Sequence, residues 1–452
     1  MQSDLNQLDL ERVFQALRAL GADDIELYAE SRTTHQLDIW DRVHHGRSLQ
    51  DRGLSIYCRK GETSFHFCSN LLDTESVLKL IAGKPLKDDS ASAAIPPAKV
   101  AASKPSNGSA QLLAPHCVTI LHVARAAFAP AASCGLWFEE EICNFWVTRE
   151  PTGWTSGSRK SVRAQARWKI EQEGAQSRTY EWERSGLDPD AFVDGLKNEF
   201  WLSEAVKKSA GRLSTWPAPK GELPVFWSSQ ALAKIALPFV RAFEADLFLK
   251  EQSLLQKLSF PVRWGFTLTD MPQTAGPAVD AEGSAVAQLI VLKNGKPRGL
   301  ACNRRTAGEM QVPETGHSRR QNFRHLPVPA FWNVALHWSE TEPDLLARCQ
   351  SGIWVEDVEV LESDPASGLI CLATRKAFLM HEKTLGEPIE NVVFEMEVHD
   401  FLANIEGAGE KQKTFGFEIQ KDGQRFTTQI QLPDVFTPAF PFPGSVPSDT
   451  YW

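Results

Sequence analysis

From Leu10 to Leu20 the apolar residues Leu10, Val13, Phe14, Leu17 and Leu20 recur at helical spacing, and Gly21 ends the run. This pattern predicts an amphipathic helix with one face turned to a core. The period then shortens. IELYAES (25–31), HQLDIWDRV (35–43), GLSIYCRK (53–60) and TSFHFCS (63–69) alternate or are rich in β-formers, with polar turns and Gly53 or Gly61 between them. Four short strands are expected. TESVLKLIAG (74–83) returns to helical spacing, with Thr74 placed as its N-cap. Residues 1–86 therefore read as a small α+β domain.

Residues 87–110, KDDSASAAIPPAKVAASKPSNGSA, carry Ala, Ser, Pro and Lys but no large apolar side chains, the composition of a flexible linker. A mixed middle domain follows over 111–219. Within it KSVRAQARWKIEQEG (160–174) and QSRTYEWERSG (176–186) read as a hairpin turning at Glu173-Gly174-Ala175, and LDPDAFVDGLKNEFWLSEAV (187–206) reads as a helix. Residues 220–452 form a larger, β-rich C-terminal domain. It opens with the strand LPVFW (223–227), Ser228-Ser229 as a helix N-cap, and the stripe Leu232, Ile235, Ala236, Phe239, Val240, Phe243. Pro238 interrupts this stripe and is expected to kink the helix or cost it a backbone hydrogen bond. After Asp246 strands and loops dominate, and PAFPFPGSVP (438–447) reads as an irregular tail.

Composition narrows the function classes. With 42% hydrophobic and 23% charged residues, the 452-residue chain is globular, and no run approaches the roughly 18 apolar residues of a membrane helix. The polar start MQSDLNQLDLERV lacks a secretory pattern, so a cytoplasmic protein is expected. A net charge of −9, from 48 Lys+Arg against 57 Asp+Glu, argues against general nucleic-acid binding. The eight cysteines form no C-x-x-C and suit reduced thiols better than disulfides or a structural zinc site. The 14 tryptophans and 25 phenylalanines fit a core, with some available for a groove or interface.

Catalytic motifs are sparse. His44-His45 and His116-Cys117 are adjacent pairs whose side chains diverge on a strand, and His381-Glu382 is followed by no histidine at metallopeptidase spacing. No G-x-S-x-G elbow, phosphate loop or dinucleotide fingerprint occurs. The most informative stretch runs from Asp280 to Arg320. Asp280, Glu282 and Gly283 precede an apolar strand (286–292), the turn Lys293-Asn294-Gly295-Lys296 and a second strand ending near Cys302; then come Arg304-Arg305 and Arg319-Arg320. Asn-Gly is a strong hairpin signal. The acidic and basic groups are expected to form either a salt-bridge network holding the hairpin or a polar wall of a peptide channel or subunit interface.

Taken together, these segments resemble the TldD/PmbA family, and specifically its PmbA (TldE) branch. ALRALGADDIELYAESR (16–32) and GLSIYCRKGETSFHFCS (53–69) resemble the family's N-terminal elements. Asp280, Glu282, Gly283, Gly295, Gly299, Arg304 and Ala307 resemble its acidic tripeptide and the glycines and arginine that follow. Thr315, Gly316, Ser318, Arg319 and Arg320 are similar to a T-G-N-x-R-R element, with His317 where asparagine is usual. The resemblance implies a heteromeric peptidase in which a TldD-like subunit carries H-E-x-x-x-H and zinc, while the PmbA-like partner lacks them and completes the peptide channel. Aligning FEADL (243–247) with the family's L-E-G-D-F puts the six motif positions on Ala236, Leu237, Pro238, Phe239, Val240 and Arg241, none of them a zinc ligand. No cofactor is therefore expected on this chain, and zinc is expected on the partner. Asp280, Glu282, Arg305, Thr315, Gly316 and His317 are the residues expected in the channel or interface wall. His317, the long linker and the divergent tail point to a specialised relative that matures a ribosomally made peptide. Two alternatives stand beside this: a peptide-binding or chaperone-like protein without hydrolysis, and an independent enzyme with a scattered metal site drawn from His317, His325 or His337.

Overall fold

Helix α1 (Leu10–Ala19) forms where the periodicity predicts it, capped by Asp9, whose carboxylate accepts the Arg12 N–H, and it buries Val13, Phe14 and Leu17. The computed structural model that shows this describes residues 5–40, 43–83, 115–120, 133–170, 178–198, 216–256, 265–271 and 276–444. The expected linker at 87–110 and the turn at 173–175 lie outside the described residues. Strands β1 (Asp24–Trp40), β2 (Val43–Lys60) and β3 (Thr63–Ser69) follow. The two runs expected at 25–31 and 35–43 are thus largely one strand. Thr33 and Thr34 between them are β-branched and continue the ladder opposite Gln50 and Leu49.

Helix α2 (Thr74–Ala82) is capped by Asp73 and not by Thr74: the Asp73 carboxylate accepts the Ser76 N–H at 2.8 Å. The Thr74 hydroxyl accepts the Asp9 N–H at 2.9 Å and so ties α2 to the start of α1. Strands β4 (Ser133–Thr148), β5 (Thr155–Ile170) and β6 (Arg178–Gly186) extend the sheet in the order β3-β2-β1-β4-β5-β6, all antiparallel. The β5–β6 hairpin is the one expected from the sequence, with Ile170 opposite Arg178. Helix α3 (Pro189–Asn198) comes next.

Strand β7 (Lys220–Trp227) leads into α4 (Ser229–Arg241), with Ser228 as the expected N-cap, its hydroxyl accepting the Ala231 N–H at 3.1 Å. Helix α4 runs through Pro238, which offers no N–H to the Lys234 carbonyl. Packing offsets that loss: Ala231, Leu232, Ile235, Ala236, Phe239 and Val240 are all buried in one core. Each fully buried large apolar side chain there contributes about 1.5–3 kcal/mol. Next come α5 (Ala245–Leu249), β8 (Phe266–Asp270), β9 (Leu289–Lys293), β10 (Lys296–Pro297), α6 (Arg304–Met310), β11 (Ser318–Arg319) and β12 (Val328–Pro329). The chain continues with β13 (Asn333–Trp338), β14 (Ser351–Ser363), β15 (Leu369–His381), β16 (Thr384–Pro388), β17 (Val393–Glu397), α7 (Val398–Ala403), β18 (Gly407–Lys421) and β19 (Gln424–Pro443). The Asn294-Gly295 hairpin is present, with φ of 49° and 72° at the two turn residues, although its second strand is only two residues long.

The segment 438–447 is not an irregular tail as far as it is described. Phe440 pairs with Leu223 and Phe442 with Gly221, so β19 extends to Pro443. The prolines are accommodated because, among the described residues, this end of β19 has no partner on its β18 side beyond Phe436, leaving the ladder on one flank to β7. Phe440 and Phe442 are buried and Pro441 between them is exposed, a period of two that the Pro-rich composition obscures. The fold is mixed α+β with a large β-rich portion, as expected. Strand β19 is its hub, pairing with β18, β7 and, in parallel, β13. The N-terminal sheet joins at a single ladder pair, Gly416 of β18 opposite Ser185 of β6, where a Cβ on Gly416 would lie 1.7 Å from the Ser185 carbonyl oxygen.

Candidate functional site

The alternation in β1 sends Ile25, Leu27 and Ala29 to one face and Glu26, Tyr28 and Glu30 to the other, yet both sets are buried. The apolar set packs with α1 and α2. The polar set faces residues 319–324, where Arg320 donates to Glu26 at 2.8 Å and to the Ser55 hydroxyl at 3.1 Å and lies over the Tyr28 ring. Arg159 donates to the Tyr28 hydroxyl at 3.1 Å and to the Gln321 carbonyl at 3.0 Å. Arg32 pairs with Glu30 at 3.2 Å and Glu141 at 3.1 Å. Gly53 admits the Phe323 ring, which a Cβ there would meet at 2.2 Å. A charged sheet face is thus sealed against the C-terminal part by arginines.

The six residues singled out from the sequence lie beside this seam. Asp280 is buried and accepts three backbone N–H groups, from Glu282 and Ser284 at 2.9 Å each and from Ser318 at 3.1 Å. Burial raises its pKa to about 6 against the pull of those hydrogen bonds. Glu282 is also buried and accepts the Arg304 N–H at the start of α6 at 2.8 Å. Burial, then the neighbouring charges of Glu26 and Asp280, raises it to about 8. Neither acid forms an ion pair with an arginine among the described residues. The Arg304 guanidinium reaches Asp24 at 2.7 Å, and exposed Arg305 reaches Glu309. The network expected between the acids and the arginines of this stretch is therefore not formed; backbone amides hold the acids instead.

Thr315 clamps Cys302, accepting its N–H at 2.8 Å and donating to its carbonyl at 3.1 Å. Gly316 has φ of 72°, and a Cβ would lie 2.3 Å from the Ala285 carbonyl oxygen, so a side chain has no room. His317 is fully buried, with Nε2 2.8 Å from Asp270 and Nδ1 2.7 Å from the Thr315 carbonyl. Asp270 also accepts the Asn333 N–H at 2.7 Å. Of the six, only Arg305 is exposed.

Replacing Glu282 with Gln keeps an acceptor for the Arg304 N–H and removes the ionisable group. A folded pKa raised from 4.5 to about 8 means that the stability present below pH 4.5 is lost as pH rises through 8. The variant is expected to be more stable than the parent by about 1–3 kcal/mol at pH 8–9 and equal to it near pH 4. Paired urea melts across pH check this; a pH-independent difference would contradict it.

Beside the seam a cleft opens between β4 and β5, residues 319–321 and the β18–β19 hairpin, with about 720 Å³ of empty volume including its mouth. Arg159, Arg163, Arg319, Arg320 and Arg425 line it against three carboxylates, Glu139, Glu141 and Glu418. Arg163 pairs with Glu139 and Glu418. Arg319 is different. It donates to the carbonyls of Phe331 at 2.6 Å and Thr427 at 2.8 Å, lies over the rings of Trp332 and Phe426, and has no carboxylate within 4.0 Å among the described residues. Burial, then repulsion from Arg159, lowers its pKa to about 9. The sequence singled out Arg319-Arg320 but not Arg159 and Arg163. Their four-residue spacing on one strand face was the available signal.

The six α4 positions do not fit a zinc ion. Ala236, Pro238, Phe239 and Val240 are buried among apolar neighbours, and the Arg241 guanidinium lies 3.7 Å from Glu244. His381-Glu382 lies at the β15–β16 turn, with φ of 47° at Glu382, and so is not helical. His317, His325 and His337 bond to Asp270, Asn322 and Gln412 and are not brought together. Among the described residues, one group of three potential ligands converges, Glu397, His399 and Asp400, with both carboxylates exposed.

Residues 220–441, the β-rich part that contains α4, match the family model described as the PmbA/TldA metallopeptidase C-terminal domain. A TldD metalloprotease homologue of Haemophilus influenzae is 25% identical over 213 residues, covering 44% of this chain and 43% of that protein. A metalloprotease of Methanothermobacter thermautotrophicus is 24% identical over 210 residues, covering 45% and 46%. The chain thus spans about half the length of these curated relatives. Its fold is that of TldE from Thermococcus kodakarensis, with a TM-score of 0.72 and 14% identity over 95% of this chain and 99% of that one. Through residues 220–441 the chain carries the C-terminal domain of the TldD/PmbA metalloprotease family. No helix among the described residues is long and apolar enough to cross a membrane.

Proposed function

We propose that this chain is the non-catalytic, TldE-like subunit of a heteromeric zinc peptidase that degrades or matures unfolded or ribosomally made peptides in the cytoplasm. One observation carries the reading: in a metallopeptidase-family domain, the helix positions aligned with the zinc motif hold packed apolar side chains and an arginine. Such a chain offers no lone pairs to a metal there, and the polarised carbonyl and activated water of hydrolysis would come from a TldD-like partner carrying H-E-x-x-x-H. This subunit supplies part of the peptide's enclosure. The buried 280–284 turn and residues 315–317 hold the segment that carries Arg319 and Arg320 in place. A peptide-binding or chaperone-like role without hydrolysis is the competing reading.

Tagged chain purified from its native host is expected to bring down, at equal stoichiometry, a subunit bearing H-E-x-x-x-H, with zinc in the complex and none in this chain purified alone. Peptidase activity is expected only in the complex. Elution alone or as a homo-oligomer, or stoichiometric zinc on the isolated chain, would overturn the assignment.

A further inference from the structure

We infer that the arginine-lined cleft binds an acidic segment of the peptide, taking Asp, Glu or terminal carboxylates against Arg319 and Arg425. This rests on the peptide-binding part of the proposed function and adds the class of peptide. Three independent features support it. The protein carries a net charge of −9, yet the cleft lining has five arginines against three carboxylates, so this surface runs opposite in sign to the molecule. Arg319 is buried at the cleft with carbonyl and hydroxyl hydrogen-bond partners and no carboxylate within 4.0 Å among the described residues; Asp270 and Glu244 act on it only from farther off and leave much of its desolvation uncompensated. An incoming carboxylate would offset it. Finally, the guanidinium lies over the rings of Trp332 and Phe426, 4.0 and 5.1 Å from their centroids, and is tied to the Phe331 and Thr427 carbonyls, so its orientation is fixed before a ligand arrives.

Arg425 stands at the rim with its side chain 56% exposed and Glu418 3.6 Å away, so reversing its charge should leave the fold intact. The test uses the full chain and three fluorescent peptides of equal length, Ala/Ser-based and carrying three Glu, three Lys or no charge. Anisotropy at low salt is expected to give the Glu peptide about tenfold tighter binding than the neutral one, an advantage that shrinks as salt is raised. Arg425→Glu is expected to weaken the Glu peptide about fivefold and to leave the neutral peptide unchanged. Arg319→Gln, checked by thermal melt for folding, should remove most of the remaining preference. Equal binding of all three peptides overturns the acidic preference while leaving peptide binding intact. Inorganic phosphate competing as well as the Glu peptide would mark a small-anion site and overturn the peptide assignment of the cleft. Binding of no peptide, with or without the zinc subunit, would overturn both this inference and the peptide-channel reading.

Discussion

Replacing Lys421 with Met is expected to destabilise the C-terminal domain by about 3–5 kcal/mol, because it strands two buried carboxylates. The Lys421 ammonium lies 2.9 Å from Glu244 and 2.6 Å from Asp246 and also donates to the Pro329 carbonyl. Both acids are buried, and the other cations near them are more distant, Arg241 at 3.7 Å from Glu244 and Lys250 at 3.9 Å from Asp246. Breaking such a cluster costs more than its presence contributes, since the uncompensated charges stay out of water. Combining Lys421→Met with Glu244→Gln and Asp246→Asn should therefore recover most of the loss. Urea unfolding of the single and triple variants measures both. A single variant within about 1 kcal/mol of the parent would show that water or rearrangement rescues the acids.

Replacing Arg320 with Met is expected to cost a similar ~3–5 kcal/mol and to change how the protein unfolds. Arg320 is fully buried and joins Glu26 on β1, Ser55 on β2 and the Tyr28 ring to the segment that follows Gly316. Without it, Glu26 keeps Arg149, 3.7 Å away, and the more distant charge of Arg304, while facing Glu282. The ladder between the two parts of the molecule is a single pair at Gly416, so side-chain contacts carry the coupling. The variant should unfold in two steps, the N-terminal sheet first, as followed by hydrogen exchange of β1 and β2 amides. A single cooperative transition at unchanged midpoint would refute this role for Arg320.

Much of the fold was legible because local period and capping decide local structure. Asp9, Ser228 and the Asn294-Gly295 turn act through neighbours within a few residues. The long β1 was read as two strands because its central residues, SRTTH (31–35), are polar; they are half-buried ladder positions between β2 and β4, where Arg32 pairs with Glu30 and Glu141, rather than a turn. In the same way Glu26 and Glu30 alternate with Ile25, Leu27 and Ala29 as a solvent-facing set would; nothing local announces that Arg320 and Arg159 cover them from far along the chain. Asp280 and Glu282 stood out by composition, but their partners are backbone amides, which every residue carries and no sequence pattern reveals. The cleft was least legible. It assembles β4, β5, the 319–321 segment and β18–β19, and such non-local neighbours are set by topology.

The position of β19 at the centre of the C-terminal sheet bears on how the protein is made. Strand β7 leaves the ribosome some 200 residues before β19, its antiparallel partner, and β13 about 90 before the same strand. Through that interval α4 and the apolar faces of β7 and β14 have no finished sheet to pack on, and closing contacts so distant in sequence is slow. The domain must therefore wait for residues up to Pro443 to emerge, which leaves the nascent chain a client for chaperones that shield apolar segments.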